Sequence, residues 1–311
     1  MLFAHGDGSP ADLPPFSLAR LLTEWEVDPF LTVITLWVAG SYLVGVWMLH
    51  RRGDRWPLGR TLAFLVGGMG SFYVATSSGL GAYDTTLLSV HMVQHMVLTM
   101  VSPLMMALGA PVTLMLRTLP RAPRRWLLVV LHSRVARVLT FAPLTLALFV
   151  VSPWALYFTS WYDATLRSPY LHEVTHLHLV LVGAMFFWPL VGADPIPGRL
   201  AHPFRLLLIV LTLPFHAFLG VTIMSQHALI GGSWYPSLHQ HLTWLPQPID
   251  DQHLGGGILW GSGDVVGLLF MSVLFVQWVR ASVKEAARED RRLDRLEEME
   301  RRAAGDTPAA G

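Results

Sequence analysis

The 311-residue chain contains no cysteine. Thiolate zinc and copper sites, disulfides and Cys-x-x-Cys redox chemistry are therefore excluded for it, and any metal it handles must be held by histidine, methionine or carboxylate. Charge is scarce as well: 14% of residues are charged, where soluble domains carry about 25%. The first 28 residues have neither the basic start nor the apolar block of a signal peptide; they carry Asp7, Asp12, Glu24, Glu26 and Asp28 against one arginine and read as a short translocated tail. A net charge of +1 gives nucleic-acid binding no support. In place of charge the chain has 53% hydrophobic residues and a mean hydropathy of +0.47, the composition of a membrane protein.

Apolar stretches near 20 residues cross about 30 Å of hydrocarbon. Seven occur, at residues 29–49, 58–78, 86–108, 138–159, 170–191, 205–230 and 256–279. The expected fold class is all-α: a polytopic bundle of about seven transmembrane helices. The connecting segments alternate in arginine. Arg51, Arg52, Arg55 and Arg60 follow the first span, and Arg117, Arg121, Arg124, Arg125, Arg134 and Arg137 follow the third. Arg199 and Arg205 follow the fifth, and eight basic residues from Arg280 to Arg302 follow the seventh, leaving only Arg20 and Arg167 opposite. The positive-inside rule then places the N-terminus outside and the C-terminus in the cytoplasm. This divides the chain into an extracytoplasmic tail (1–28), a transmembrane domain (29–280) and a charged cytoplasmic helix and tail (281–311), in a multi-pass protein of the cell inner (plasma) membrane. Pro103, Gly109 and Pro111 predict a kinked exit from the third span, with residues 112–119 in the interface.

With the spans oriented, depth follows from sequence. His91 and His95 lie roughly 8 to 14 Å into the third span at about 1.5 Å per residue, and His172 and His176 begin the fifth at the same level. Each pair is four residues apart and so shares one helix face. His227 closes the sixth span, Asp264 enters the seventh from the same side, and His239, His241 and His253 lie in the loop between. His50, His132 and His202 fall beside basic loops, and His216 sits alone near mid-membrane. Polar groups in hydrocarbon are costly and tend to be functional. The predicted metal set is His91, His95, His172, His176, His227 and Asp264, toward the extracytoplasmic side. Imidazole suits copper, zinc, iron and nickel, and thioethers from Met92, Met96 or Met224 would bias such a site toward Cu(I). Met in a membrane helix is more often a packing residue. Asp264 reads equally as a ligand, an imidazole-orienting partner or a proton acceptor. Bis-histidine haem would use the same residue types.

The stretch His91-Met-Val-Gln-His-Met-Val-Leu, running on to Pro103-Leu-Met-Met-Ala-Leu-Gly-Ala-Pro111, resembles the signature helix of the membrane-integral CtaG family of cytochrome c oxidase assembly proteins. His172-Glu-Val-Thr-His176 followed by Phe187-Trp188-Pro189, and Asp251-Gln252-His-Leu-Gly255-Gly-Gly-Ile-Leu-Trp260, extend the resemblance over roughly residues 30 to 280. This family is distinct from the single-span copper chaperone that shares its name. The resemblance implies a non-enzymatic assembly factor that delivers or holds copper for haem–copper oxidase subunits on the outer face. The matching positions are His91, Gln94, His95, His172, His176, Asp251, Gln252 and Trp260. Asp251-Gln252 has a bland reading too, as part of a loop and tight helix entry marked by Pro246, Pro248 and Gly255 to Gly257; Trp260 reads as an interface anchor. Two rival functions remain open: a haem-binding membrane redox protein, and a metal-free scaffold for oxidase subunits.

Overall fold

A computed structural model describes residues 13–198 and 200–303; Asp7, Asp12, Arg199 and the end of the C-terminal tail lie outside the described residues. The chain is all-α, and among the described residues the one β feature is an isolated bridge between Trp25 and Ser78. Six helices are long and apolar enough to cross a membrane, or seven if one bent pair is a single span. That matches the expected bundle of about seven.

The first spanning helix, α1 (Pro29–Arg51), starts where Asp28 accepts a hydrogen bond from Leu31 N at 2.7 Å, with proline at the first turn. Helix α2 (Leu58–Ser77) and helix α3 (Leu88–Thr118) each contain a π-helical segment, Ala63–Gly70 and Val97–Val101. Just past these segments Ser71 and Ser102 meet, Oγ to Oγ, at 2.7 Å. The expected break near the end of α3 falls at Ala110, whose φ is 50°, and Pro111 restarts the helix. Residues 111–118 continue the 31-residue apolar run and pack on α1. Two short helices, α4 (Arg121–Leu131) and α5 (Arg134–Leu139), lead to α6 (Ala142–Phe158), which turns by 66° into α7 (Trp161–Arg167). This bent pair occupies the place of the fourth span. Helix α8 (Pro169–Val191) begins on a Ser168 cap with proline at its first turn and ends at Gly192, φ 64°. Helix α9 (His202–Ser225) is followed by a loop carrying α10 (Trp234–His241).

Helix α11 (Pro248–Ala303) runs unbroken for 56 residues, about 84 Å at 1.5 Å per residue. Span and charged C-terminal helix are thus one element with no joint at residue 280. Helices α9 and α11 approach where Gly220 and Gly256 cross; a Cβ on either would fall within 2.7 Å of the other's carbonyl oxygen. The main apolar core runs through α3, α6, α8, α9 and α11. Val33, Trp37, Val66, Leu181, Phe218 and Leu269 point outward, as lipid-facing side chains do.

The two ends of the bundle are tied differently. At one, Arg52 donates to the carbonyls of Arg117 and Thr118, Arg117 pairs with Asp54 at 3.4 Å, and buried Asp194 accepts from Thr113 N and Trp188 Nε1. At the other, Asp251 accepts from Leu88 N at 2.6 Å and from Ser89 Oγ, capping the start of α3. Gln252 accepts from Ile230 N and donates to the carbonyls of Ile223, Gln226 and Ala228. Asp251 and Gln252 thereby fasten α11 to the first turn of α3 and to the end of α9.

Candidate metal centre

The centre forms where α3 and α8 start. Beyond α2, Ser78 accepts from Leu80 N and caps a short helix, Gly79–Tyr83, which delivers Asp84 to the first turn of α3. Asp84 is 1% exposed. One of its oxygens, Oδ2, accepts from Gln94 Nε2 at 2.7 Å and lies 2.9 Å from His172 Nε2 and 3.5 Å from His176 Nε2. Burial opposes charge on this carboxyl, but the His172 and His176 imidazoles outweigh burial and hold it well below the usual carboxylate range. The carboxylate is therefore the anionic hub of the site.

Around it the partners are ordered. Gln94 also donates to Ala75 O at 3.0 Å, while its Oε1 lies 3.1 Å from His176 Nε2. Glu173, one residue past His172, sits 3.4 Å from His176 Nδ1. A carboxylate behind the far nitrogen is the arrangement that orients a metal-binding imidazole and raises its basicity. One ligand atom from each of Asp84, His172 and His176 lies within 4.8 Å of the other two, and all three residues are buried. His91 stands beside them, 2% exposed, its ring centroid 6.3 Å from that of His172. Neither of its ring nitrogens has a hydrogen-bond partner among the described residues. A neutral imidazole carries one donor and one acceptor, and in His91 both lack a hydrogen-bond partner among the described residues.

The approach of α8 to α3 that closes the centre depends on Gly183. A Cβ there would collide with Thr99 O and come within 2.6 Å of Pro103 Cγ. Only glycine lets the two backbones come this close.

The other sequence-predicted positions are not among these three converging residues. His95 is fully buried and brings its Nδ1 to Tyr157 OH at 2.9 Å, while its Nε2 has no hydrogen-bond partner among the described residues. His227 is exposed in the loop after α9. Asp264 lies thirteen residues beyond Asp251 along α11, about 20 Å on, and accepts from Trp260 Nε1 at 3.0 Å. Met92 and Met96 belong to the apolar core, and Met224 packs on Gly256. Sequence reasoning missed Asp84, and it named neither Gln94 nor Glu173 as part of a metal set. A signal for Asp84 existed: it is the only acidic residue between Asp54 and Asp163, and it stands just outside an apolar span.

A polytopic helical membrane protein with a buried carboxylate and two imidazoles around one point is the class defined by this fold and site. The family profile described as cytochrome c oxidase caa3 assembly factor (Caa3_CtaG) matches residues 40–281, and the chain belongs to that family. It is similar to uncharacterised proteins of Mycobacterium bovis and Mycobacterium tuberculosis, each 40% identical over 291 residues, and to one of Mycobacterium leprae at 36% identity. These alignments cover 91% of this chain but 44% of each relative, so the chain spans less than half the length of the proteins it matches. No solved structure matches the chain.

Proposed function

We propose that the protein holds copper as cargo for the assembly of a haem–copper oxidase, with Asp84, His172 and His176 as ligands and His91 as the fourth donor. The observation that carries this reading is the buried convergence of the three donor atoms within 4.8 Å beside an imidazole whose two nitrogens have no hydrogen-bond partner among the described residues. Without cysteine, the imidazole and carboxylate set is compatible with copper as with iron or zinc, and it is family membership that favours copper among them. Family membership supports the client, and the arginine asymmetry supports placing the site toward the extracytoplasmic face. Transfer to an oxidase subunit would proceed by ligand exchange and needs no catalytic turnover.

Packing disfavours haem at the same histidines. The His91 ring has Tyr162 at 4.9 Å, Tyr157 at 6.0 Å and His172 at 6.3 Å between centroids, a close aromatic packing that favours a bare ion over a macrocycle there. The test is metal analysis of the purified chain after copper loading, beside the double variant His172→Ala, His176→Ala. Near-stoichiometric copper in the wild type and its loss in the variant are expected. Equal copper in both would remove the proposed centre, and a Soret band at stoichiometric protein would replace copper with haem.

A further inference from the structure

The connection between α3 and α6 takes no part in the metal centre, yet its chemistry is pronounced. On α4, Arg121, Arg124 and Arg125 are spaced i, i+3, i+4 and share one face, while Trp126 and Val130 fall on the opposite side and Val129 on the flank beside Arg125. On α5, Arg134 and Arg137 stand beside Val135, Val138 and Leu139. Neither helix has a buried residue, and Trp126 is 71% exposed. Arg117, just before them, pairs with Asp54. The five arginines beyond it have no ion pair among the described residues, and no acidic residue occurs anywhere between Asp84 and Asp163.

We propose that α4 and α5 lie in the membrane interface and bind the headgroups of anionic phospholipids in the leaflet where α3 ends and α6 begins. Three features point to lipid as the occupant. The helices join the ends of two apolar helices, so their depth is that of the headgroups. Their apolar side chains are exposed, as are Met115 and Phe141 on either side of them in the sequence. The uncompensated guanidinium groups match phosphate in charge and in bidentate geometry. Arginines on one face with a tryptophan and aliphatic side chains on the other is the composition of a helix lying in the interface.

The full chain is purified, reconstituted in vesicles of equimolar phosphatidylcholine and phosphatidylglycerol, and analysed by native mass spectrometry for retained lipid. The wild type is expected to retain phosphatidylglycerol over phosphatidylcholine by about tenfold, and the variant Arg121→Gln, Arg124→Gln, Arg125→Gln, Arg134→Gln, Arg137→Gln to lose most of that preference. A control with Arg291→Gln, Arg292→Gln and Arg295→Gln on α11 should keep it. If the fivefold variant does not fold, Arg124→Gln with Arg125→Gln supplies the reading, with a smaller drop expected. Equal retention of both lipids by the wild type, or an unchanged preference in the folded variant, overturns the proposal and leaves this surface to a protein partner.

Discussion

Replacing Asp84 by asparagine separates a metal centre from a hydrogen-bond network built of the same residues. The substitution keeps the shape and one acceptor oxygen, and removes a negative charge that Gln94 and His172 meet at 2.7 and 2.9 Å. Hydrogen bonds to charged groups contribute about 1.5–3 kcal/mol against about 1 kcal/mol for neutral ones, so the apo protein should lose roughly 2 kcal/mol. As a network alone, the site would show that loss and nothing more. As a metal centre it should also bind copper at least about 100-fold more weakly, which is about 2.7 kcal/mol of affinity. Competition with a chromophoric copper chelator, with a thermal scan of the same detergent-solubilised sample, reads both quantities. A folded Asp84→Asn protein with copper affinity within about threefold of wild type would falsify the assignment of Asp84 as a ligand.

Other substitutions probe the supports. His91→Ala should weaken copper binding about 10- to 100-fold with little change in hydrogen-bond content, because neither ring nitrogen is bonded within the described residues; the same chelator competition checks it. Gly183→Val forces a side chain against Thr99 O and Pro103, which should cost about 1–3 kcal/mol and lower copper retention, as melting and metal analysis together would reveal. Gln252→Ala strands Ile230 N and removes a donor from three carbonyls around the end of α9; a lower melting temperature with unchanged copper stoichiometry in the folded fraction is expected, and lost stoichiometry would bring Gln252 into the site.

The limits of sequence reading are visible in the pair Asp251-Gln252, where functional and structural meanings were open. The geometry gives both residues tying roles, one capping α3 and the other gathering the loop after α9. Trp260, 43% exposed and bonded to Asp264, sits on the outer surface of α11. Asp264 therefore has a local partner on its own helix, which its position in the sequence could not disclose. The long α11 makes a similar point: the fall in hydropathy near residue 280 marks a change of surroundings, while the backbone continues as helix.

Membrane class, the approximate number of spans, the absence of thiolate chemistry and the two histidine pairs were all determined by the sequence itself. Each rests on local physics: about 20 apolar residues to cross the hydrocarbon and 3.6 residues per turn to place i and i+4 on one face. Which of those faces meet was decided only in three dimensions, because helix neighbours and rotation depend on close backbone approach at positions such as Gly183. His95 shares a helix face with His91 and yet turns to Tyr157, while Asp84, outside every apolar span, supplies the charge around which His172 and His176 gather. A buried carboxylate must find partners wherever the fold brings them, and here they come from a helix 88 residues further along the chain.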